Sequence, residues 1–194
     1  MSGERAPADW RLAVDIGGTF TDVVLISGPT ELAAPPGPRL RRIETAEEMK
    51  AAVESAIADA DVLIMAAAIA DFRPAQAATS KIKKEHAPDV IALEPAPDVL
   101  KETRGARPPH LKVVGFALET DEARANARKK LESKGLDLVV LNEATRPGSG
   151  FEVDTNQVVI LDRAGGEEAL PLLPKHEVAE EILDRVERLL GGQP

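Results

Sequence analysis

At 194 residues, 43% of them apolar, the chain is long enough for one well-buried domain and short for two. Its net charge of −9 argues against a nucleic-acid-binding domain, whose footprint would be basic, and with no cysteine it excludes disulfides, thiolate chemistry and cysteine-based zinc sites. The opening MSGERAPADW lacks the apolar centre of a signal peptide, and no run reaches the ~18 apolar residues of a membrane span, so a cytoplasmic protein without membrane contact is expected.

Residues 1–10 read as a disordered lead. LAVDI (12–16) and DVVLIS (22–27) read as strands around the Gly17–Gly18 turn. GPTELAAPPGP is a proline-rich loop, and RLRRIET a short strand with Ile43 turned inward. Thr45 and Glu48 form an S/T-x-x-E capping box, and Met49, Val53, Ala56 and Ile57 follow at helical spacing. DVLIMAAAIA (61–70) is a continuous apolar run of the kind a buried parallel strand has. PDVLKETR predicts a short helix begun by Pro97, and LKVVGFA (111–117) a strand. TDEARANARKKLESKG predicts a helix capped by Thr120, stopped by Gly135, with Ala123, Ala127 and Leu131 on one face. Strands at 136–142 and 156–162 follow, then a final helix with Val178, Ile182, Val186 and Leu189 inward and two glycines at its end.

Four Phe, one Trp and no Tyr leave the core to Val, Leu, Ile and Ala, which suits parallel strands under helices. Strand and helix alternate, so an α/β fold is expected, an open, mostly parallel sheet with helices on both faces. Ligands in such sheets bind outside the carboxyl ends of the strands. The segments to inspect are therefore ADFRP, ALET and NEATRPG, which follow the runs at 61–70, 111–117 and 136–142.

KIKK (Lys81–Lys84) places three ammonium groups on a long loop of an acidic chain. It is either a solvated cluster or a flap that closes over a phosphate, where lysine meets growing negative charge. Asp71 is a turn residue or a carboxylate for Mg2+ or a ligand hydroxyl. Phe116 is a core aromatic or a surface for a nucleobase. Lys130 and Lys134, at i and i+4, share a helix face, solvated unless it overlooks the strand ends. Asn142, ending a strand, is ambiguous in the same way as Asp71. His86, His110 and His176 show no metal spacing.

The order AAAIADFRP, KIKK, APDVL, VVGFALET, ARKKLESKGLDLVVLNEA, GFEVDTNQVVIL, LPKHEVAEEILDRV resembles the phosphopantothenoylcysteine synthetase domain, the phosphopantothenate–cysteine ligase of coenzyme A biosynthesis, from about Val23 to Leu190 (domain 23–190). The resemblance implies a Rossmann-like nucleotide-binding fold, a homodimer, and ligation of 4'-phosphopantothenate to cysteine through an acyl-cytidylate formed from CTP with Mg2+. It implies Lys81 as the catalytic flap lysine. Met65, Ala66 and Ala67 would offer backbone to the nucleotide, and Asp71 would bind nucleotide or metal. Pro97, Asp98, Val99 and Leu100 would read cytosine, Phe116 would line the base, and Lys130 and Lys134 would reach the nucleotide. Ala96 stands where the family's NPDIL has Asn, and Pro174 where the family has Ser before the last helix. In the family this domain follows a flavin-dependent decarboxylase half. No flavin is expected here, and a separate decarboxylase would supply that step.

Residues 11–27, in WRLAVDIGGTFTDVVLI, resemble instead the start of the hydantoinase/oxoprolinase family, whose Gly-Gly-Thr turn binds phosphate. The synthetase family has a strand, a long segment ending in an SNRSSG-like substrate loop, and a helix at this place. This chain has a short strand–Gly-Gly–strand piece. That piece is either a hairpin completing the sheet edge or a substitute phosphate cradle built on Thr19 and Thr21. Loss of the helix is expected to bare apolar sheet surface. A nucleotide-binding remnant without turnover is the alternative function.

Overall fold

The computed structural model describes residues 22–76, 82–83, 90–119, 122–143 and 153–191. In chain order its elements are β1 (Val24–Ser27), β2 (Arg39–Arg42), α1 (Ala46–Ile57), β3 (Val62–Met65), β4 (Phe72–Pro74), β5 (Leu93–Pro95) and α2 (Val99–Glu102), which runs into a 3-10 turn at Thr103–Ala106. β6 (Lys112–Glu119), α3 (Ala123–Ser133), β7 (Leu138–Glu143), β8 (Thr155–Asn156), β9 (Val158–Asp162), β10 (Glu167–Ala169), β11 (Leu173–Pro174) and α4 (Lys175–Leu189) follow.

Among the described residues the main sheet has five strands in the order β10-β9-β7-β6-β3. β3, β6 and β7 are parallel, while β9 and β10 add antiparallel strands at one edge. The α/β, Rossmann-like expectation holds, with this mixed edge as the refinement. β1 pairs with β2 in parallel, as a separate two-stranded sheet. The strand expected at 12–16 and the Gly17–Gly18 turn lie outside the described residues. The apolar run 61–70 yields a strand only over 62–65. Ala66, Ala67, Ala68 and Ala70 are exposed, and alanine has neither the branching nor the bulk that favours a strand.

Helix starts follow local chemistry. Thr45 caps α1, its hydroxyl accepting from the Glu48 N–H at 3.1 Å, and Glu48 returns a carboxylate to the Thr45 N–H at 3.3 Å. Asp98 is the N-cap of α2, its carboxylate accepting from the Lys101 N–H at 3.1 Å, so Pro97 stands just before the cap rather than in the first turn. α3 begins after Glu122, which sits in the left-handed region at φ 45° and makes no side-chain cap; Thr120 lies outside the described residues.

The end of α3 is built more fully. Gly135 takes φ +61°, the Leu136 N–H reaches Leu131 O at 2.9 Å, and the Gly135 N–H reaches Glu132 O at 3.2 Å. The carbonyls this motif leaves over accept from three guanidinium groups. Arg104 donates to Ser133 O at 3.3 Å, Arg107 to Lys134 O at 2.9 Å and Gly135 O at 3.0 Å, and Arg163 to Leu136 O at 3.0 Å. Cations at the negative end of a helix are favourable, and here they also satisfy orphan acceptors.

The core lies on both faces of the sheet. On the first face α1, α2 and α3 place Met49, Val53, Ile57, Val99, Leu100, Ala127 and Leu131 against Val113, Ala117, Val139, Leu141, Val159 and Leu161. On the second face α4 places Val178, Ile182 and Val186 against Val114, Leu138, Val140, Val158 and Ile160. Strand alternation sends Ile64, Phe116 and Leu118 to this second face as well. They are 42%, 40% and 43% exposed, beyond the reach of α4.

Candidate functional site

The parallel strands β3, β6 and β7 end at one edge of the sheet, at Met65, Glu119 and Glu143. Beyond β3 the chain passes through exposed Ala66 and Ala67 to Asp71, also exposed. It then enters an antiparallel hairpin in which Phe72 pairs with Pro95, Arg73 with Glu94 and Pro74 with Leu93. The Ala96 N–H donates to Asp71 O at 2.9 Å and closes the base of the hairpin, bringing Asp71 beside the Pro97–Leu100 segment. Arg73 fastens the stem, donating to Glu94 at 2.8 Å and pairing with Glu47 in the first turn of α1. Lys81 lies between the two arms of this hairpin in sequence and outside the described residues; its neighbours Ile82 and Lys83 are exposed.

Lys130 and Lys134 each find a carboxylate on another element. The Lys130 ammonium meets Glu119, the last residue of β6, at 2.7 Å. Asn126 offers its amide to the same carboxylate at 3.4 Å, and the Glu119 side chain is only 16% exposed. One turn on, the Lys134 ammonium meets Asp98 at 3.0 Å. The face shared by the two lysines is therefore turned to the end of β6 and the start of α2 rather than freely solvated.

The expected residues divide into groups. Asp71 is tied to Ala96, which leads directly into Pro97 and Asp98, and Asp98 is tied to Lys134. Val99 and Leu100 are 2% and 8% exposed with their side chains in the core, while Pro97 and Asp98 are half-buried. Met65 is buried and pairs in register with Gly115. Phe116 stands on the second face of the sheet, away from α3, which carries Lys130 and ends at Lys134. Nearby at the end of β7, the buried side-chain oxygen of Asn142 has no hydrogen-bond partner among the described residues. No group of three or more potential metal ligands comes together among the described residues.

Sequence reasoning missed Glu119, Arg73 and Arg107. Glu119 stood in the ALET segment, but nothing in the sequence ties it to Lys130. Arg107 is part-buried and gives one end of its guanidinium to Leu100 O and to the Thr103 hydroxyl at 3.5 Å, the other to the end of α3. Burial, with the nearby Arg104 charge, holds its pKa below the ordinary arginine value.

A family model described as the C-terminal domain of the DNA/pantothenate metabolism flavoprotein matches residues 10–190. The chain belongs to this flavoprotein C-terminal domain family. The match takes in residues 11–27, the stretch that also resembles the hydantoinase opening. Among curated relatives of this family member, the coenzyme A biosynthesis bifunctional protein CoaBC of Mycobacterium bovis (strain ATCC BAA-935 / AF2122/97) is 41% identical over 202 residues, covering 98% of this chain and 47% of that protein. A cysteine/cysteine sulfinic acid decarboxylase from an unknown prokaryotic organism is 38% identical over 167 residues, covering 85% of this chain and 46% of that protein. The chain thus spans about half the length of the curated relatives it matches. The crystal structure of the C-terminal domain of a CoaBC superposes with a TM-score of 0.72 at 34% identity, covering 88% of this chain and 75% of the other. This likeness supports the Rossmann-like α/β assignment. No helix of the described residues is long and apolar enough to cross a membrane.

Proposed function

We propose that this domain ligates 4'-phosphopantothenate to cysteine in coenzyme A biosynthesis, using CTP to activate the carboxylate. The observation that carries the reading is the likeness to the C-terminal half of CoaBC along nearly the whole chain, together with a lysine face turned to the end of β6. In the first step a phosphopantothenate carboxylate oxygen attacks the α-phosphorus of CTP. The bond to the bridging oxygen breaks, and pyrophosphate leaves with its electron pair. In the second, the cysteine amine attacks the acyl carbon, CMP departs, and the amine proton passes to solvent.

The residues present suit the first step. Lys81 supplies charge to the triphosphate as pyrophosphate forms. Lys130 and Lys134 reach the nucleotide, exchanging Glu119 and Asp98 for phosphate oxygens. Pro97 and the backbone of 98–100 border the base, with Met65, Ala66 and Ala67 offering backbone at the end of β3. Ala96 removes the amide that the family's Asn would offer, so cytosine is read by the backbone of this segment. Mg2+ commonly sits on substrate phosphates and water with one or two protein carboxylates, and Asp71 fits that role. The metal would neutralise charge on the phosphates.

Two further assignments belong to this reading. The bare patch around Ile64 and Leu118 is covered by a second copy in a homodimer, while Phe116, on that same face and across the sheet from Pro97–Leu100, lines the base where the nucleotide crosses the strand ends. A flavin-dependent decarboxylase consumes the ligated product. The alternative is a nucleotide-binding remnant, favoured by the lack of the SNRSSG-like substrate loop in this sequence.

Pyrophosphate release from CTP and 4'-phosphopantothenate, with Mg2+ and without cysteine, decides between them. The ligase reading expects release that Lys81→Ala slows far more than it weakens CTP binding. CTP binding with no release establishes the remnant. Faster release from ATP than from CTP overturns the choice of nucleotide.

A further inference from the structure

Two segments assigned to the nucleotide, Pro97–Leu100 and the end of α3 with Lys134, come from distant parts of the chain and form no shared ladder or helix. Arg107 lies between them. One side of its guanidinium donates to Leu100 O, two residues after the α2 N-cap, and the other to Lys134 O at 2.9 Å and Gly135 O at 3.0 Å. Thr103, fully buried, gives its hydroxyl proton to Val99 O at 2.7 Å and accepts from Arg107, which extends the brace into α2. The Lys134–Asp98 pair runs beside it as a second tie.

We propose that Arg107 is a positioning residue for nucleotide binding, a brace that sets the gap between the Pro97–Leu100 segment and Lys134. This rests on the ligase reading given above. A planar guanidinium grips carbonyls on two elements in one fixed geometry, and a lysine at the same place cannot span both. The neighbouring arginines serve other elements. Among the described residues Arg104 donates to Ser133 O on α3, and Arg163 holds Leu136 O while facing Asp137 at 3.7 Å. Arg107 alone among the three reaches both α2 and α3 through described contacts.

The test compares wild type with Arg107→Lys, well below the melting temperature of both. Three quantities are read: CTP affinity by calorimetry, KM for 4'-phosphopantothenate, and amide hydrogen exchange. The expected result is a CTP Kd raised ~10-fold, as a displaced binding group brings, with the phosphopantothenate KM held within about twofold. Exchange should quicken both at 99–102 and at 134–137, with or without nucleotide. A lowered melting temperature with unchanged CTP affinity makes Arg107 purely structural and overturns the proposal. Equal weakening of both substrates overturns it too, as does quickened exchange at one segment only. A wild type that binds no CTP refutes the ligase reading and the assignment of Arg107 to nucleotide, while exchange still reports separately whether the brace exists.

Discussion

The two faces of the central sheet differ in how completely they are covered. Three helices shield the first face from β3 to β9, and its residues sit close to zero exposure. A single helix, α4, shields the second. It covers Val114, Val140 and Ile160 but leaves Ile64, Phe116 and Leu118 about two-fifths exposed, although Phe116 and Val114 belong to the same strand. The same alternating strand therefore serves two purposes. Where a helix lies over it, an apolar side chain holds the fold; where none does, the side chain is free to meet another molecule.

Large effects belong to the covered face. Leu141→Ala, at a fully buried position of β7, should cost about 2–5 kcal/mol in denaturant unfolding. A loss below 1 kcal/mol would break the contrast at its firmest point. Gly115→Ala comes next. A Cβ there would meet Leu136 Cδ1 at 2.7 Å and Leu100 Cδ1 at 3.4 Å, so overpacking should cost about 1–3 kcal/mol. The open part of the second face should behave differently. Ile64→Lys combined with Leu118→Lys should leave the melting temperature nearly unchanged and turn a dimer into a monomer by light scattering. A collapse in stability instead would show that these residues are core. Phe116→Ala should likewise change stability by less than about 1 kcal/mol while weakening CTP binding. Unchanged affinity would remove Phe116 from the site.

The smallest effect should come from the Lys50–Glu102 pair, 2.7 Å apart between α1 and α2 and open to solvent at the surface. Its hydrogen bond to Lys50 holds the Glu102 carboxyl below its usual pKa. The stability it contributes is present above the ordinary carboxylate value and is lost as pH falls through the folded one. Lys50→Met should therefore cost a little stability at neutral pH, a difference from wild type that vanishes as pH falls through the folded value; a large loss at neutral pH would mean the pair is less solvated than its geometry shows.

Local chemistry was the legible part of the sequence. Thr45 with Glu48, the Gly135 stop and the Ala127–Leu131 stripe each act within one or two turns of chain, and the structure reproduces all three. The parallel order of β3, β6 and β7 followed from strand–helix alternation. The reversal of β9 did not, since a buried run such as VVILD reads alike in either direction. Thr103 was also hidden. A lone threonine in a polar stretch gives no sign of complete burial until Arg107 and Val99 O meet its hydroxyl. At the candidate site the lysine spacing was readable, but the carboxylates that receive Lys130 and Lys134 depend on tertiary approach. The extent of the bare patch is likewise set by which strands α4 lies over, which no single segment encodes.

The β6–α3–β7 unit gives the molecule a natural place to begin folding. Its two strands are joined by one short helix, so forming their ladder needs little loop closure compared with bringing in β3 or β1. Once β6 and β7 are paired, β9 can add against β7 by antiparallel registry, and the helices of both faces have a platform to settle on. The transition state is expected to hold Val113, Val139 and Leu131 in near-native contact while β1 and β2 remain unformed. Truncating side chains in the middle of the chain would then slow folding, and changes near Val24 or Leu40 would mainly hasten unfolding.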